Sequence, residues 1–238
     1  MSRALGPPVD SPTAQPPTAS TLTGRTVRLE RLTPAHAAPL FALVGNTADP
    51  TQVAVWDYMP EGPFANYAAF EQMIISHAKS TDPYFFAIIG PGSTGPDGDE
   101  VLGYISLMSI VPAQLRLEIG HVVFSPRLQR STAATEIVFL LLKYSFESGY
   151  RRVEWKCNSL NEGSKRAAGR FGFVYEGTFR QHMVVKGRNR DTAWFSMVRE
   201  EWEGGVRAGF EGWLGEGNFD ELGRQKGRLE RFIKRGYI

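Results

Sequence analysis

Residues 115–150 read LRLEIGHVVF (115–124), SPRLQRSTAATE (125–136) and IVFLLLKYSFESGY (137–150), and the order of these three segments decides the fold. The first alternates in period two, placing Leu115, Leu117 and Ile119 on one face and Arg116, Glu118 and Gly120 on the other, as a strand requires. The third is long and apolar enough for a buried helix. The middle segment is therefore a strand-to-helix junction. The first turn of a helix carries N–H groups without intrahelical acceptors, in the positive end of the helix dipole. Such a terminus binds an anion if the backbone can be approached closely. Ser131 and Thr132 can cap the helix or donate to a phosphate, Arg130 can reach one, and Ala133 and Ala134 keep the backbone accessible although the junction has no glycine. On these residues alone, an anion site and a plain capped helix are both open.

Working outward, RRVEWKC predicts a strand parallel to 115–124, joined through the 133–148 helix by a right-handed crossover. NEGSKRAAGRF predicts a helix ended by Gly172, and GFVYEGTFRQHMVV and DTAWFSMVRE two strands joined at KGRNR. Upstream, GRTVRLERL is a strand, TPAHAAPLFALV and ANYAAFEQMIISHA are helices, and DPTQVAVWDYMPEGPF between them is a loop. YFFAIIG and VLGYISLMSI form a hairpin across a glycine-rich tip. The fold class is mixed α/β: a mostly antiparallel sheet with one parallel, splayed strand pair, flanked by helices.

Residues 1–22 hold five of the fifteen prolines among small polar residues and are expected to be a disordered tail. The folded domain spans 23–202. Residues 203–238 are a helical extension, packed on the domain or at a dimer interface, with RQKGRLERFIKRG as its terminal helix. A hydrophobic content of 42% with 22% charged residues is that of an ordinary globular chain, and a net charge of +2 gives no basis for nucleic-acid binding. The single cysteine, Cys157, excludes an internal disulfide and a cysteine-rich metal site, so no metal is expected. No apolar run approaches the roughly 18–20 residues that span a bilayer, and the cytoplasm is the default location.

The spacing Gln129-x-x-Thr132-x-Ala134 resembles the Q/R-x-x-G-x-G/A acetyl-coenzyme A motif of the GNAT N-acetyltransferase superfamily, with Thr132 at the first glycine position. LEIGHVVFSP is similar to that family's fourth strand, and ATE with the apolar helix to its third helix. Asn161-x-x-Ser164 followed by GFVYEGTFR resembles the N-x-x-S/A…GF-x-x-EG-x-x-R segment, and GRNRDTAWFSM the closing G-x-x-x-D-x-x-x-[YF]-S segment. Together these are most similar to the branch containing the ribosomal-protein N-terminal acetyltransferases.

The resemblance implies acetyl-CoA as co-substrate and a primary amine as acceptor, with the protein a monomer or homodimer. It implies a pyrophosphate cradle at Gln129, Arg130, Ser131, Thr132, Ala133, Ala134 and Thr135, and a pantetheine edge at Val122, Val123 and Phe124. Asn161 and Ser164 would contact the cofactor arm. Glu118 is the candidate general base, with His121 its rival. Ser164 is the candidate proton donor to the thiolate, because Ala168 stands where many relatives carry a tyrosine. Trp56, Asp57 and Tyr58 are the acceptor-side candidates. Arg127, Arg130, Lys165, Arg166 and Arg170 could attract the cofactor's phosphates. A non-catalytic acyl-CoA-binding module of the same fold is the alternative; a nucleotide-binding protein is disfavoured by the antiparallel order and the absence of a GxGxxG or GKS/GKT loop.

Overall fold

In the computed structural model, which describes residues 5–9, 13–92 and 95–234, eight strands form one sheet in the order β1-β2-β3-β4-β5-β6-β8-β7. They are β1 (Thr21–Thr23), β2 (Arg28–Arg31), β3 (Tyr84–Gly92), β4 (Gly95–Val111), β5 (Arg116–Phe124), β6 (Arg152–Asn158), β7 (Val174–Val185) and β8 (Arg188–Val198). All neighbours pair antiparallel except β5 and β6. The mixed α/β architecture expected from the sequence is the one observed.

Alternation along the strands divides the core. Phe86, Ile88, Ile105, Leu107, Leu117 and Ile119 point to one face, where α4 (Thr132–Glu147) and α5 (Glu162–Arg170) bury Ile137, Val138, Leu141, Leu142 and Ala168. Phe85, Ala87, Ile89, Tyr104 and Val123 point to the other, covered by α1 (Ala37–Val44) and α3 (Tyr67–Lys79) through Leu40, Val44, Phe70 and Ile74. Both helical layers thus sit on strands whose residues fit a half-buried pleat on each side.

Three segments differ from expectation. The loop after α1 contains a short helix, α2 (Pro50–Ala54), capped by Asp49, whose carboxylate accepts from the Thr51 N–H at 2.9 Å. Residues 13–23 are seated on the domain rather than free. Ala14 is buried, the Gln15 N–H donates to Ser148 O (3.1 Å), the Thr18 N–H donates to Tyr144 Oη (3.0 Å), and β1 pairs with β2. Part of that proline-rich stretch and part of the β3–β4 hairpin tip lie outside the described residues.

The third difference is the extension. Its helix runs earlier than expected, from α6 (Arg199–Glu201) through a π-helical turn at Trp202–Val206 into α7 (Arg207–Leu214). Among the described residues of RQKGRLERFIKRG, the one helical element is a single 3-10 turn, Leu229–Arg231. Trp202, Val206, Phe210 and Trp213 recur at helical spacing and are buried, and Trp202 stacks on Phe146 of α4 (5.3 Å, 19°). The chain after α7 folds back so closely that a Cβ on Gly209 would lie 2.8 Å from Ile233 Cα.

Candidate functional site

β5 and β6 pair only from Arg116↔Arg152 to Ile119↔Trp155. Beyond that point β5 stays with β4 (Gly103↔Phe124) and β6 stays with β8 (Lys156↔Trp194 to Asn158↔Thr192). The two strands therefore splay, and the facing backbone of residues 120–124 and 156–158 is left without a strand partner between them. The splay starts at a bulge: Tyr104 and Ser106 of β4 face Val123 and Gly120, so β5 carries an extra residue there. His121 occupies the bulge with φ 47°, in the left-handed region that non-glycine residues seldom adopt.

The junction at the end of β5 is a built helix start. Ser131 is the N-cap of α4: its Oγ accepts from the Ala134 N–H (3.0 Å) and donates to Leu128 O (2.6 Å). Arg130, at φ 61°, turns the chain into the cap. With the Ala134 N–H taken, those of Thr132 and Ala133 are the first-turn donors that the helix itself does not use. The structure divides the expected cradle in two. Gln129 and Arg130 are exposed, and Ser131, Thr132 and Ala133 half-buried, whereas Ala134 and Thr135 are buried in the core. Thr135 Oγ1 accepts from Arg170 Nη1 at 2.9 Å, so its side chain braces α5 instead of facing outward. The Gln129 amide folds back to donate to Phe124 O (3.1 Å), tying the junction to the strand end.

The basic residues around this end also separate. Arg127 pairs with Glu100 and Lys165 with Glu162 (2.6 Å), while Arg130 and Arg166 are exposed. Glu136, one turn into α4, has a role the sequence did not signal. Its buried carboxylate accepts from the N–H groups of Arg25 and Thr26 at 2.6 and 2.7 Å and fixes the loop before β2.

On the other arm of the splay, Asn161 caps α5 by accepting from the Ser164 N–H (3.0 Å). Ser164 Oγ accepts from Trp155 Nε1 (2.9 Å), so its proton is free to be donated elsewhere. Cys157, buried next to it on β6, has its thiol pKa raised by burial, with Ser164 working in the opposite direction. Ala168 is completely buried, which leaves Ser164 as the hydroxyl of this helix nearest the splay.

Glu118 is not a solvated glutamate on a polar face. It is 5% exposed, its Oε2 lies 2.8 Å from Lys156 Nζ, and Ser109 Oγ donates to the same oxygen at 3.1 Å. Burial raises its pKa above the ordinary carboxylate value, with Lys156 and Ser109 opposing. Lys156 in turn sits over the Trp194 ring at 4.0 Å.

The acceptor-side candidates do not act as a group. Trp56 is 1% exposed, packs edge-on to Phe64 and Phe70, and donates from Nε1 to Val44 O (2.8 Å). Its ring is a core side chain, which corrects the expectation of an acceptor contact. Asp57 and Tyr58 are exposed, and the Tyr58 hydroxyl donates to Leu160 O at 3.2 Å, bridging this loop to the start of α5. Lys186, in the β7–β8 turn, donates to Trp56 O (2.7 Å) and closes the hairpin onto the same loop. Two surface depressions border the β7–β8 hairpin: one of about 350 Å³ between it and the start of α5 at Ser159, Lys165 and Arg166, and one of about 870 Å³ lined by Phe179, Arg180, His182 and Asp191. They flank the splay without including its residues.

Sequence reasoning missed Glu61 and His77. Glu61 follows α2 and His77 lies on α3, yet they come within 3.7 Å of each other (Oε1 to Nε2) on the His121 side of the sheet. No local pattern marks either one, because only the packing of α3 on β3 brings them to the bulge.

Residues 26–174 match the family model described as an acetyltransferase (GNAT) domain. A GCN5-related N-acetyltransferase from Brucella melitensis is 43% identical, with a TM-score of 0.86 over 93% of this chain and 97% of that one. A probable acetyltransferase of the GNAT family from Chromobacterium violaceum is 40% identical, with a TM-score of 0.75 over 85% of this chain and 100% of that one. Among curated proteins, the uncharacterized N-acetyltransferase YoaA of Bacillus subtilis is 31% identical over 43% of this chain. The match spans only 58% of YoaA's length. The family match over more than half the chain, on a sheet that splays at a bulge beside a capped helix, shows that this chain belongs to the GNAT acetyltransferase family.

Proposed function

We propose that the protein transfers the acetyl group of acetyl-CoA to a primary amine, by direct attack of the amine on the thioester. The observation that carries this reading is the end of β5–β6 pairing at Ile119↔Trp155, with the N-terminus of α4 at the mouth of the opening. Acetyl-CoA supplies an acetyl group activated as a thioester; the chain's own residues do the rest. The strand edge at Val122, Val123 and Phe124 takes an extended acyl-pantetheine arm by backbone hydrogen bonds, as an exposed sheet edge does. The first-turn N–H groups of Thr132 and Ala133, with Gln129, Arg130 and the Ser131 cap, hold the pyrophosphate. Ala134 and Thr135 support that turn from within the core. Asn161 sets the first turn of α5, so that Ser164 can donate to the departing sulfur.

Glu118 accepts the amine proton through water. Burial favours a proton-accepting carboxylate of raised pKa, and Lys156 opposes that rise by favouring the charged form. Asp57 and Tyr58 form the acceptor side, with Trp56 holding their loop. YdaF of Bacillus subtilis, 30% identical over 43% of this chain and named as a candidate ribosomal N-acetyltransferase, makes a protein N-terminus one acceptor to try. That match spans 56% of YdaF, so small primary amines belong in the same panel.

Thermal denaturation with acetyl-CoA, with ATP as control, tests the cofactor site, because a ligand that binds only the native state must raise its stability. A clear rise with acetyl-CoA and little with ATP is expected; the reverse order would overturn the assignment. Acetyl-CoA binding with no thiol release from any amine would favour the non-catalytic module instead.

A further inference from the structure

Deepening the N-acetyltransfer reading, on which it rests, we propose that His121 accepts the first proton of the acceptor's ammonium, with Glu61 behind it to stabilise the imidazolium and His77 to position Glu61. The bulge turns His121 toward the α3 side of the sheet. Its ring lies 5.1 Å from Phe85 and 5.9 Å from His77. Its strained φ of 47° is a cost that persists only where surrounding structure imposes it, and such residues gather at working sites.

The hydrogen-bond network assigns the tautomer. Ser106 Oγ lies 3.1 Å from Gly120 O and 3.3 Å from His121 Nδ1; with its one proton assigned to the shorter contact, the ring donates from Nδ1. Nε2 then carries the lone pair. His121 is half-buried at the start of the splay, next to the strand edge assigned to the acyl arm.

Behind the ring is a buried polar group with few other uses. Glu61 Oε1 is 3.7 Å from His77 Nε2, and His77 is stacked flat on Phe85 (4.0 Å, 7°), which fixes its plane. Glu61 Oε2, His77 Nδ1 and the Tyr104 hydroxyl are all buried without a hydrogen-bond partner. The charged and titratable groups that face His121 are Glu61 from the loop after α2, His77 from α3 and Arg190 from β8, with Tyr104 near Glu61 from β4. Lys186 and Asp57 lie farther out, Lys186 beside Glu61. Burial lowers the His121 pKa, Glu61 raises it, and His77 and Arg190 lower it; the net shift is downward. Burial thus favours the neutral ring, which is the form able to accept. Burial works against the Glu61 charge, but the His77 and His121 rings outweigh it and hold its carboxyl below the ordinary value.

The protons balance. An ammonium becoming an amide loses two. One passes to His121 Nε2 and then to solvent. As the N–C bond forms and the C–S bond breaks with its electron pair on sulfur, Ser164 gives its proton to the thiolate, and the other amine proton leaves through Glu118 and water to restore it.

The test has two readouts. In the free protein, NMR titration of the four imidazoles, with His121 assigned through His121→Gln, should place it below the ordinary value of about 6.5. In Glu61→Gln it should titrate lower still, because the charge that raises it is gone. In thiol-release assays, His121→Gln should lower kcat/KM about a hundredfold at pH 7. The deficit should shrink as pH rises toward the acceptor's own pKa, with the acetyl-CoA thermal shift unchanged. A deficit equal at every pH, or a His121 titration indifferent to Glu61→Gln, overturns the proposal. His121→Asn serves as the second variant if Gln disturbs the bulge. A wild-type protein that binds acetyl-CoA but acetylates no amine would sink the N-acetyltransfer reading itself, and this proposal with it.

Discussion

Glu118 and Lys156 lie 2.8 Å apart on neighbouring strands, both largely shielded from water, and this pair decides what a substitution there does. Glu118→Gln keeps the shape but removes the proton acceptor. Turnover is expected to fall by about 10²-fold, and the rise of rate with pH to flatten, while acetyl-CoA affinity stays near wild type; unchanged kinetics would remove Glu118 from the proton path. Lys156→Met should act through the same carboxylate. Without the cation, only the Ser109 hydroxyl opposes burial and the Glu118 pKa rises further, so the ascending limb of the pH–rate profile should move to higher pH. A limb that stays in place would separate Lys156 from catalysis. Glu118 could be picked out from its place in a strand of period two, and alternation along RRVEWKC puts Glu154 and Lys156 on one face of β6. That this face meets Glu118 depends on the parallel register of two strands separated by a helix. Trp56 shows the opposite failure. Its sequence neighbourhood gives an aromatic loop, and only the packing of Phe64 and Phe70 around it shows that the ring is core.

The start of α4 invites a test of charge rather than shape. Ala134 is buried, so a larger residue there would disturb the core and report on packing. Thr132 is half-buried at the first helical position. A carboxylate in the first turn favours the helix by about 0.3–1 kcal/mol but repels a phosphate. Thr132→Glu should therefore weaken acetyl-CoA binding about tenfold or more (on the order of 1.4 kcal/mol) with no loss in Tm. Wild-type affinity in that variant would mean that the phosphates bind elsewhere. The junction was legible because capping chemistry is local: Ser131 and the small residues after it announce the helix start. The extension was harder to read. Trp202, Val206, Phe210 and Trp213 have helical spacing, but the interspersed Gly204, Gly205, Gly209 and Gly212 disguise it. Gly205, Gly209 and Gly212 make room for residues 232–234, as Gly209 does for Ile233, so the usual reading of glycine as a breaker fails there. Trp202→Ala should cost about 3–5 kcal/mol, read as a fall in the denaturation midpoint, because it empties the stack between the extension and Phe146 and Phe139 of α4.

At the scale of the whole molecule, five segments meet around the splay. The bulge and splay of β5 lie at the centre, and the N-termini of α4 and α5 stand on the proposed cofactor side. The loop after α2 lies opposite, and the β7–β8 turn is held to that loop by Lys186. The element order was readable because each element has its own period and punctuation. The closure of the hairpin and the meeting of Glu61, His77 and His121 were not, since they join residues far apart in sequence that share no pattern. The segment 13–23, polar and proline-rich, docks by backbone hydrogen bonds and the buried Ala14 and Pro17, features that composition does not express. The activity proposed for this region is transfer of an acetyl group from a thioester to an amine. Free-thiol release from acetyl-CoA, followed with and without a panel of primary amines that includes peptide N-termini, measures it directly. Release that depends on a primary amine and rises with pH is the expected result; release indifferent to every amine, beside a normal acetyl-CoA thermal shift, would contradict it.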